Sequence, residues 1–204
     1  MGLFVKKNND DDKLDDGKTI SFTDFVFGAN NSKTDDQKTA STARIKDKKK
    51  ILFVCLGNIC RSAAAEAIMK KTVADEGLEN QVEIDSAGIL DYHQGERADR
   101  RMIEHAKIHG YDVTSISRQV KATDFDTFDI IIGMDDSNID DLKDRAQTDE
   151  QTRKIHRMSE FFTTSKETYV PDPYYGGAAG FELVIALLEE GCREIARKIK
   201  DNTI

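Results

Sequence analysis

Five residues separate Cys55 from Arg61 in the run Ile51-Leu-Phe-Val-Cys-Leu-Gly-Asn-Ile-Cys-Arg-Ser62. A cysteine thiolate is a strong nucleophile, and a guanidinium is a planar fork that holds two oxygens of one anion at once. Those two groups at the ends of a short loop suit attack on a phosphoryl group. No other segment of the chain names a reaction so directly.

The loop has to be positioned by what flanks it. Ile51 to Val54 is short, apolar and rich in β-branched and aromatic residues, which predicts a buried strand, and Ala63 to Lys71 predicts a helix. Gly57 can take positive φ and Asn58 tolerates the left-handed region, so successive backbone N–H groups from Leu56 onwards can turn towards one point. That point lies at a helix N-terminus, where an anion is favoured. The same N–H groups and Arg61 favour the thiolate form of Cys55.

Further along, Gln81 to Asp85 alternates as a strand and Arg97 to His109 reads as a helix closed by Gly110. Phe128 to Met134 reads as a second buried strand, Asn138 to Arg145 as a short helix and Lys154 to Met158 as a last strand. Phe181 to Lys200 reads as a long amphipathic helix with Leu183, Leu187, Leu188, Ile195 and Ile199 on one face. Strands alternating with helices predict a single three-layer α/β domain. In it a central parallel sheet is flanked by helices, and the phosphate-binding loop joins first strand to first helix.

Taken residue by residue, blander readings exist. A cysteine ending a strand is often a small core residue and an arginine opening a helix is often solvated. Asp172 before Pro173 is a turn former, Tyr174 and Tyr175 suit an exposed turn, and Ser86 can simply end its strand. Strand, Gly-Asn loop, Arg-Ser and alanine-rich helix in uninterrupted order favour the chemical reading of the loop.

The segment from Val54 to Ser62 resembles the signature of the low-molecular-weight protein tyrosine phosphatases, and Asp172-Pro-Tyr-Tyr175 resembles that family's general-acid loop. Asp85-Ser-Ala-Gly88, Ser117-Arg-Gln119 and Phe128 to Asn138 are similar in type and order, so the resemblance covers roughly Lys48 to Lys200. It implies that Cys55 attacks phosphorus and that Asp172 protonates the departing phenolate and later activates water. Arg61 and the loop from Leu56 through Gly57, Asn58, Ile59 and Cys60 to Ser62 would hold the phosphoryl oxygens. Ser62 would donate a hydrogen bond to the Cys55 thiolate, Asn58 would hold the turn with Ser86 as partner, and Tyr92 and Tyr174 would form aromatic walls with Tyr175 in support. Cys60 is either a packed small residue or a disulfide partner for Cys55 under oxidation.

Three positions depart from the family pattern. Ala63 stands where proline usually opens the helix, Ser115 where a histidine often supports the loop, and Tyr92 where many members carry tryptophan. Alanine sustains the helix, whereas Ser115 predicts a rewired support network around Asn58.

Composition excludes other classes. A net charge of −8 argues against broad nucleic-acid binding, and no apolar stretch approaches membrane-spanning length. Three cysteines, with two in one loop, predict a reducing cytoplasm rather than a disulfide scaffold. His93, His105, His109 and His156 show no metal-ligand spacing, so neither metal nor organic cofactor is expected. Residues 1–47 differ in texture: they are polar and mixed in charge, which predicts a disordered extension. Their apolar island at residues 20–27 suits a docking segment for the domain or a partner, or is a chance cluster.

The expected activity is hydrolysis of protein phosphotyrosine. Phosphoarginine hydrolysis is the alternative on the same fold, but Ile59 stands where those relatives commonly carry threonine. Arsenate reduction would need further cysteines downstream, and none lies between Cys60 and Cys192. A non-catalytic phosphate-binding module would need neither Cys55 nor Asp172.

Overall fold

The computed structural model describes residues 48–204, so the proposed extension and the island at 20–27 lie outside the described residues. Four strands form one sheet: β1 (Lys49–Cys55), β2 (Val82–Gly88), β3 (Ile130–Gly133) and β4 (Ile155–Arg157). All pairs are parallel and the order is β2-β1-β3-β4. Ile51 lies beside Ile84 on one side and Ile130 on the other. β1 is therefore an inner strand, covered on both faces, which explains its unbroken apolar run.

Side chains of β1 alternate between two cores. Ile51, Phe53 and Cys55 face one cluster with Ala64, Ile68, Val184 and Leu188, from α1 (Arg61–Asp75) and α6 (Ala178–Lys200). Leu52 and Val54 face a second cluster with Phe125, Phe128, Ile139 and Leu142. The second layer includes the short α3 (Asp124–Thr127) and α4 (Asp136–Arg145). The chain leaves β1 towards β2 on one side, and β3 occupies the other. This places a crevice at the carboxyl end of β1, where open parallel sheets hold their ligands.

Several boundaries differ from the sequence expectations for local reasons. The helix predicted from Arg97 is α2 (Arg100–Ile108), because the Asp99 carboxylate accepts the Arg101 N–H at 2.8 Å and caps it there. Gly110 follows with φ 81°, as a helix stop requires. β2 runs on past Asp85 to Gly88, because β1 pairs with it along its whole length. Leu183 is exposed rather than in the core stripe. It lies nearly opposite Phe181 around the helix, and burial follows Phe181, Val184, Ile185, Leu188, Cys192 and Ile195. α5 (Asp149–Arg153) and a 3₁₀ turn at Met158–Phe161 were not expected from periodicity, since each is about one turn long.

Candidate active site

β1 ends at Cys55 and α1 opens at Arg61, so the intervening loop must turn sharply. Asn58 makes the turn, with φ 55°. Gly57 does not take positive φ, contrary to expectation. Its lack of a side chain matters for space instead, because a Cβ there would lie 3.1 Å from His93 Cδ2. The loop carbonyls are claimed from outside: Cys55 O by Ile89 N at 2.9 Å, Leu56 O by Leu90 N at 2.9 Å, Gly57 O by Ser117 Oγ at 3.0 Å and Ile59 O by Asp99 N at 2.7 Å. Since a carbonyl and the following N–H point in opposite directions across a planar peptide, this turns the N–H groups of Leu56, Gly57, Asn58 and Cys60 towards the loop interior. α1 opens behind them without a side-chain cap, which leaves its first-turn donors free for an anion.

Asn58 is buried and ties three segments together. Its Nδ2 donates to Ser62 Oγ and to Ser86 Oγ, both at 2.9 Å, and its Oδ1 accepts the Arg118 N–H at 3.0 Å. Ser86 Oγ in turn donates a hydrogen bond to Glu66 Oε2 at 2.5 Å. Ser62 Oγ lies 3.1 Å from Cys55 Sγ and 3.2 Å from Ala87 O. A hydroxyl has one proton, and a charged sulfur is a stronger acceptor than a carbonyl. This network closes without Ser115, whose buried Oγ has no partner among the described residues.

Arg61 is buried, with only 3% of its side chain exposed, and faces two carboxylates. Nη1 bonds Asp135 Oδ2 and also donates to Val170 O at 3.2 Å, and Nη2 reaches Asp172 Oδ2 at 3.0 Å. Burial works against its charge, but Cys55, Asp172 and Asp135 outweigh that and hold its pKa above the ordinary value. The Cys60 thiol is pushed up as well: burial, then the nearby Asp99 and Cys55, raise it, so it stays protonated. Asp172 Oδ1 accepts the Tyr174 N–H at 3.0 Å, an Asx turn that fixes the carboxylate over the mouth.

A pocket of about 260 Å³ unites these groups. Cys55, Ile59, Cys60 and Arg61 line its depth. Leu56, Tyr92, Tyr174 and Asp172 line its sides, with Tyr175 at the rim. The Tyr174 and Tyr175 rings meet edge to face, with centroids 5.0 Å apart. Ser62, Asn58 and Ser86 lie behind the loop. His93 also lines the pocket, bonding Glu96 at 2.8 Å, so of the four histidines this one belongs to the site. No group of three or more His, Cys, Asp or Glu side chains among the described residues could hold a metal ion.

Sequence reasoning missed several supports. Asp135 had a local signal, an aspartate just past a strand with Asn138 three residues on, and its Oδ1 does cap α4. Glu66 is the one acid in the apolar run from Ala63 to Met69, a pattern that can mark a buried polar group. Arg118, which bonds Asp85 at 2.8 Å and Asp124 at 2.8 Å, lies in the Ser117-Arg-Gln119 segment of the resemblance, but its sequence neighbours give no sign of these partners. Gly88 is forced by space: a Cβ would lie 3.0 Å from the Gly57 carbonyl carbon and 3.1 Å from Asn58 N.

A crevice at the carboxyl edge of a doubly wound parallel sheet, lined by Cys55, Cys60 and the buried Arg61, suits the binding of a phosphoryl group. The family model for low molecular weight phosphotyrosine protein phosphatase matches residues 50–203, and the chain belongs to that family. It is 40% identical over 150 residues to the Gallus gallus low molecular weight phosphotyrosine protein phosphatase, covering 74% of this chain and 95% of the relative. The fold superposes on a protein tyrosine phosphatase from Entamoeba histolytica with TM-score 0.75 and 48% identity, over 77% of this chain and 100% of that one. It also superposes on a Drosophila arginine phosphatase with TM-score 0.69 and 33% identity, over 74% and 98% of the two chains.

Proposed function

We propose that this phosphatase hydrolyses phosphotyrosine on proteins through a phosphocysteine intermediate. The observation that carries the reading is the meeting of Cys55, Arg61 and Asp172 in one narrow, aromatic-walled pocket. Cys55 Sγ attacks phosphorus as the bond to the phenolic oxygen breaks, and that oxygen takes a proton from Asp172. Arg61 and the inward N–H groups of the loop hold the equatorial oxygens, where charge is spread in the transition state. An arriving phosphoryl group takes over Arg61, which frees the Asp172 carboxyl to face the leaving oxygen. Water then attacks the phosphocysteine, Asp172 accepts its proton, and the sulfur leaves as a thiolate supported by Ser62.

Depth supports the substrate class. Cys55 is 3% exposed at the bottom of the pocket, so a long flat phosphotyrosine side chain reaches it where short phosphoserine does not. The Drosophila relative gives phosphoarginine a specific basis as a second reading. Ile59 weighs against it, since its pocket-lining side chain offers no hydroxyl to a guanidine. Arsenate reduction is disfavoured because Cys192 is wholly buried, its Sγ donates to Ala65 O at 3.8 Å, and burial pushes its thiol up. Three buried free thiols suit a reducing cytoplasm. No helix among the described residues is long and apolar enough to cross a membrane. We assign the catalytic domain to residues 48–204.

The test is turnover of an aryl phosphate and a phosphotyrosyl peptide beside phosphoarginine, by wild type, Cys55→Ser and Asp172→Ala. Loss of turnover in Cys55→Ser with preference for the aryl esters supports the reading. Wild-type turnover by Cys55→Ser would overturn the mechanism, and preference for phosphoarginine would overturn the substrate.

A further inference from the structure

We propose that Arg101 is a positioning residue for the general acid: it clamps the acid loop to the phosphate loop and so sets where the Asp172 proton is delivered. This rests on the reading of Asp172 as the acid. Arg101 Nε and Nη2 lie flat on the Asp99 carboxylate, at 3.0 and 2.8 Å, and its Nη1 donates to Tyr174 O at 3.0 Å. Among the described residues this last bond is the one hydrogen bond joining residues 173–176 to an element outside the acid loop. Tyr174 in turn gives its N–H to Asp172 Oδ1.

The other end of the clamp is the phosphate loop. Asp99 caps α2 and donates its backbone N–H to Ile59 O at 2.7 Å, so the side chain that holds Arg101 is fixed to the same loop that presents Cys55. The guanidinium is seated over two rings, 5.3 Å from the Tyr174 centroid and 5.1 Å from that of Phe181 at the start of α6. An exposed Asp–Arg pair by itself contributes little to stability. Here the pair orients a third donor towards the acid loop, a geometry that a lysine cannot reproduce.

A displaced acid harms most the substrates that need a proton most. The experiment measures kcat/KM, which reports the steps up to departure of the phenol, for aryl phosphates spanning good to poor leaving groups. It compares wild type, Arg101→Met, Arg101→Lys, Asp172→Asn and the Arg101→Met/Asp172→Asn double variant. The cap of α2 survives in each, because Asp99 still accepts the backbone N–H of residue 101.

General acids contribute roughly 10²–10⁴-fold, so partial misplacement in Arg101→Met should cost about tenfold on phenyl phosphate and under about threefold on a nitro-activated ester. Arg101→Lys should fall between wild type and Arg101→Met. In the Asp172→Asn background the further loss from Arg101→Met should vanish. An equal loss for every leaving group, or an undiminished loss in the double variant, overturns the clamp while leaving the acid reading intact. If Asp172→Asn itself loses equally across the series, the acid reading fails and the clamp with it.

Discussion

Replacing Asn58 separates the two ways in which one residue shapes the phosphate loop. Its side chain makes three hydrogen bonds, and its backbone occupies the left-handed region at φ 55°. Asn58→Ala removes all three bonds. The two serine hydroxyls can keep other partners, Ala87 O or Cys55 for Ser62 and Glu66 for Ser86, so each costs only about 0.5 kcal/mol. The half-buried Arg118 N–H keeps none, which costs about 1 kcal/mol. Alanine in the left-handed region adds roughly 1–2 kcal/mol. The expected loss for Asn58→Ala is thus about 3–4 kcal/mol, a substantial part of the 5–15 kcal/mol typical of a domain.

Asn58→Gly loses the same bonds without the left-handed penalty, although the more flexible unfolded chain takes back roughly 0.4–1 kcal/mol. Asn58→Gly should therefore be the more stable variant by about 1 kcal/mol. Urea unfolding of both variants measures this, and aryl phosphate turnover reports the loop. Both should turn over poorly, since neither fixes the inward N–H groups. Equal stability of the two variants, or a loss below about 1 kcal/mol in Asn58→Ala, would refute the reasoning.

Gly88→Ala should displace the loop, because the new Cβ meets the backbone of Gly57, Leu90 and Asn58 at 3.0–3.1 Å. A stability loss of about 1–3 kcal/mol with a clear fall in kcat is expected, and wild-type kinetics would count against the close approach. Glu190 provides a pH test. Burial works against its charge, but the N–H groups of Thr164, Ser165 and Thr163 hold its carboxyl down to about 2. Its folded pKa lies below the unfolded value of ~4.3, so its contribution is present above that value and is lost as pH falls towards 2. The stability gap between wild type and Glu190→Gln should accordingly close over that window, and a gap independent of pH would contradict the assignment. Removal of residues 1–47 should leave aryl phosphate kinetics and melting temperature unchanged; a change in either would give those residues a role in the domain.

The phosphate loop was legible because its chemistry is contiguous. Strand, turn and helix start follow one another from Ile51 to Ala67, and each has a local signature in apolar run, Gly-Asn pair or alanine content. Buried strands β1 and β3 were legible for the same reason. Short α3 and α5 were not, since one turn of helix carries too little periodicity to detect. The departure at Ser115 was visible in the sequence, but its consequence was not. Only the structure shows the Asn58 network closing through Glu66 and Arg118.

Residue types along the chain therefore determined which group can attack, which can hold an anion and which elements carry them. Tertiary structure decided the other partners: Asp135 and Val170 for Arg61, the Arg118 N–H for Asn58, Tyr174 O for Arg101. Charged residues make up 33% of this chain, so type alone could not pick Asp135 out. A hydrogen bond has a reach of about 3 Å and no memory of sequence separation. Which carboxylate or carbonyl meets Arg61 or Arg101 depends on how β1, β3, α2 and the acid loop converge at one edge of the sheet.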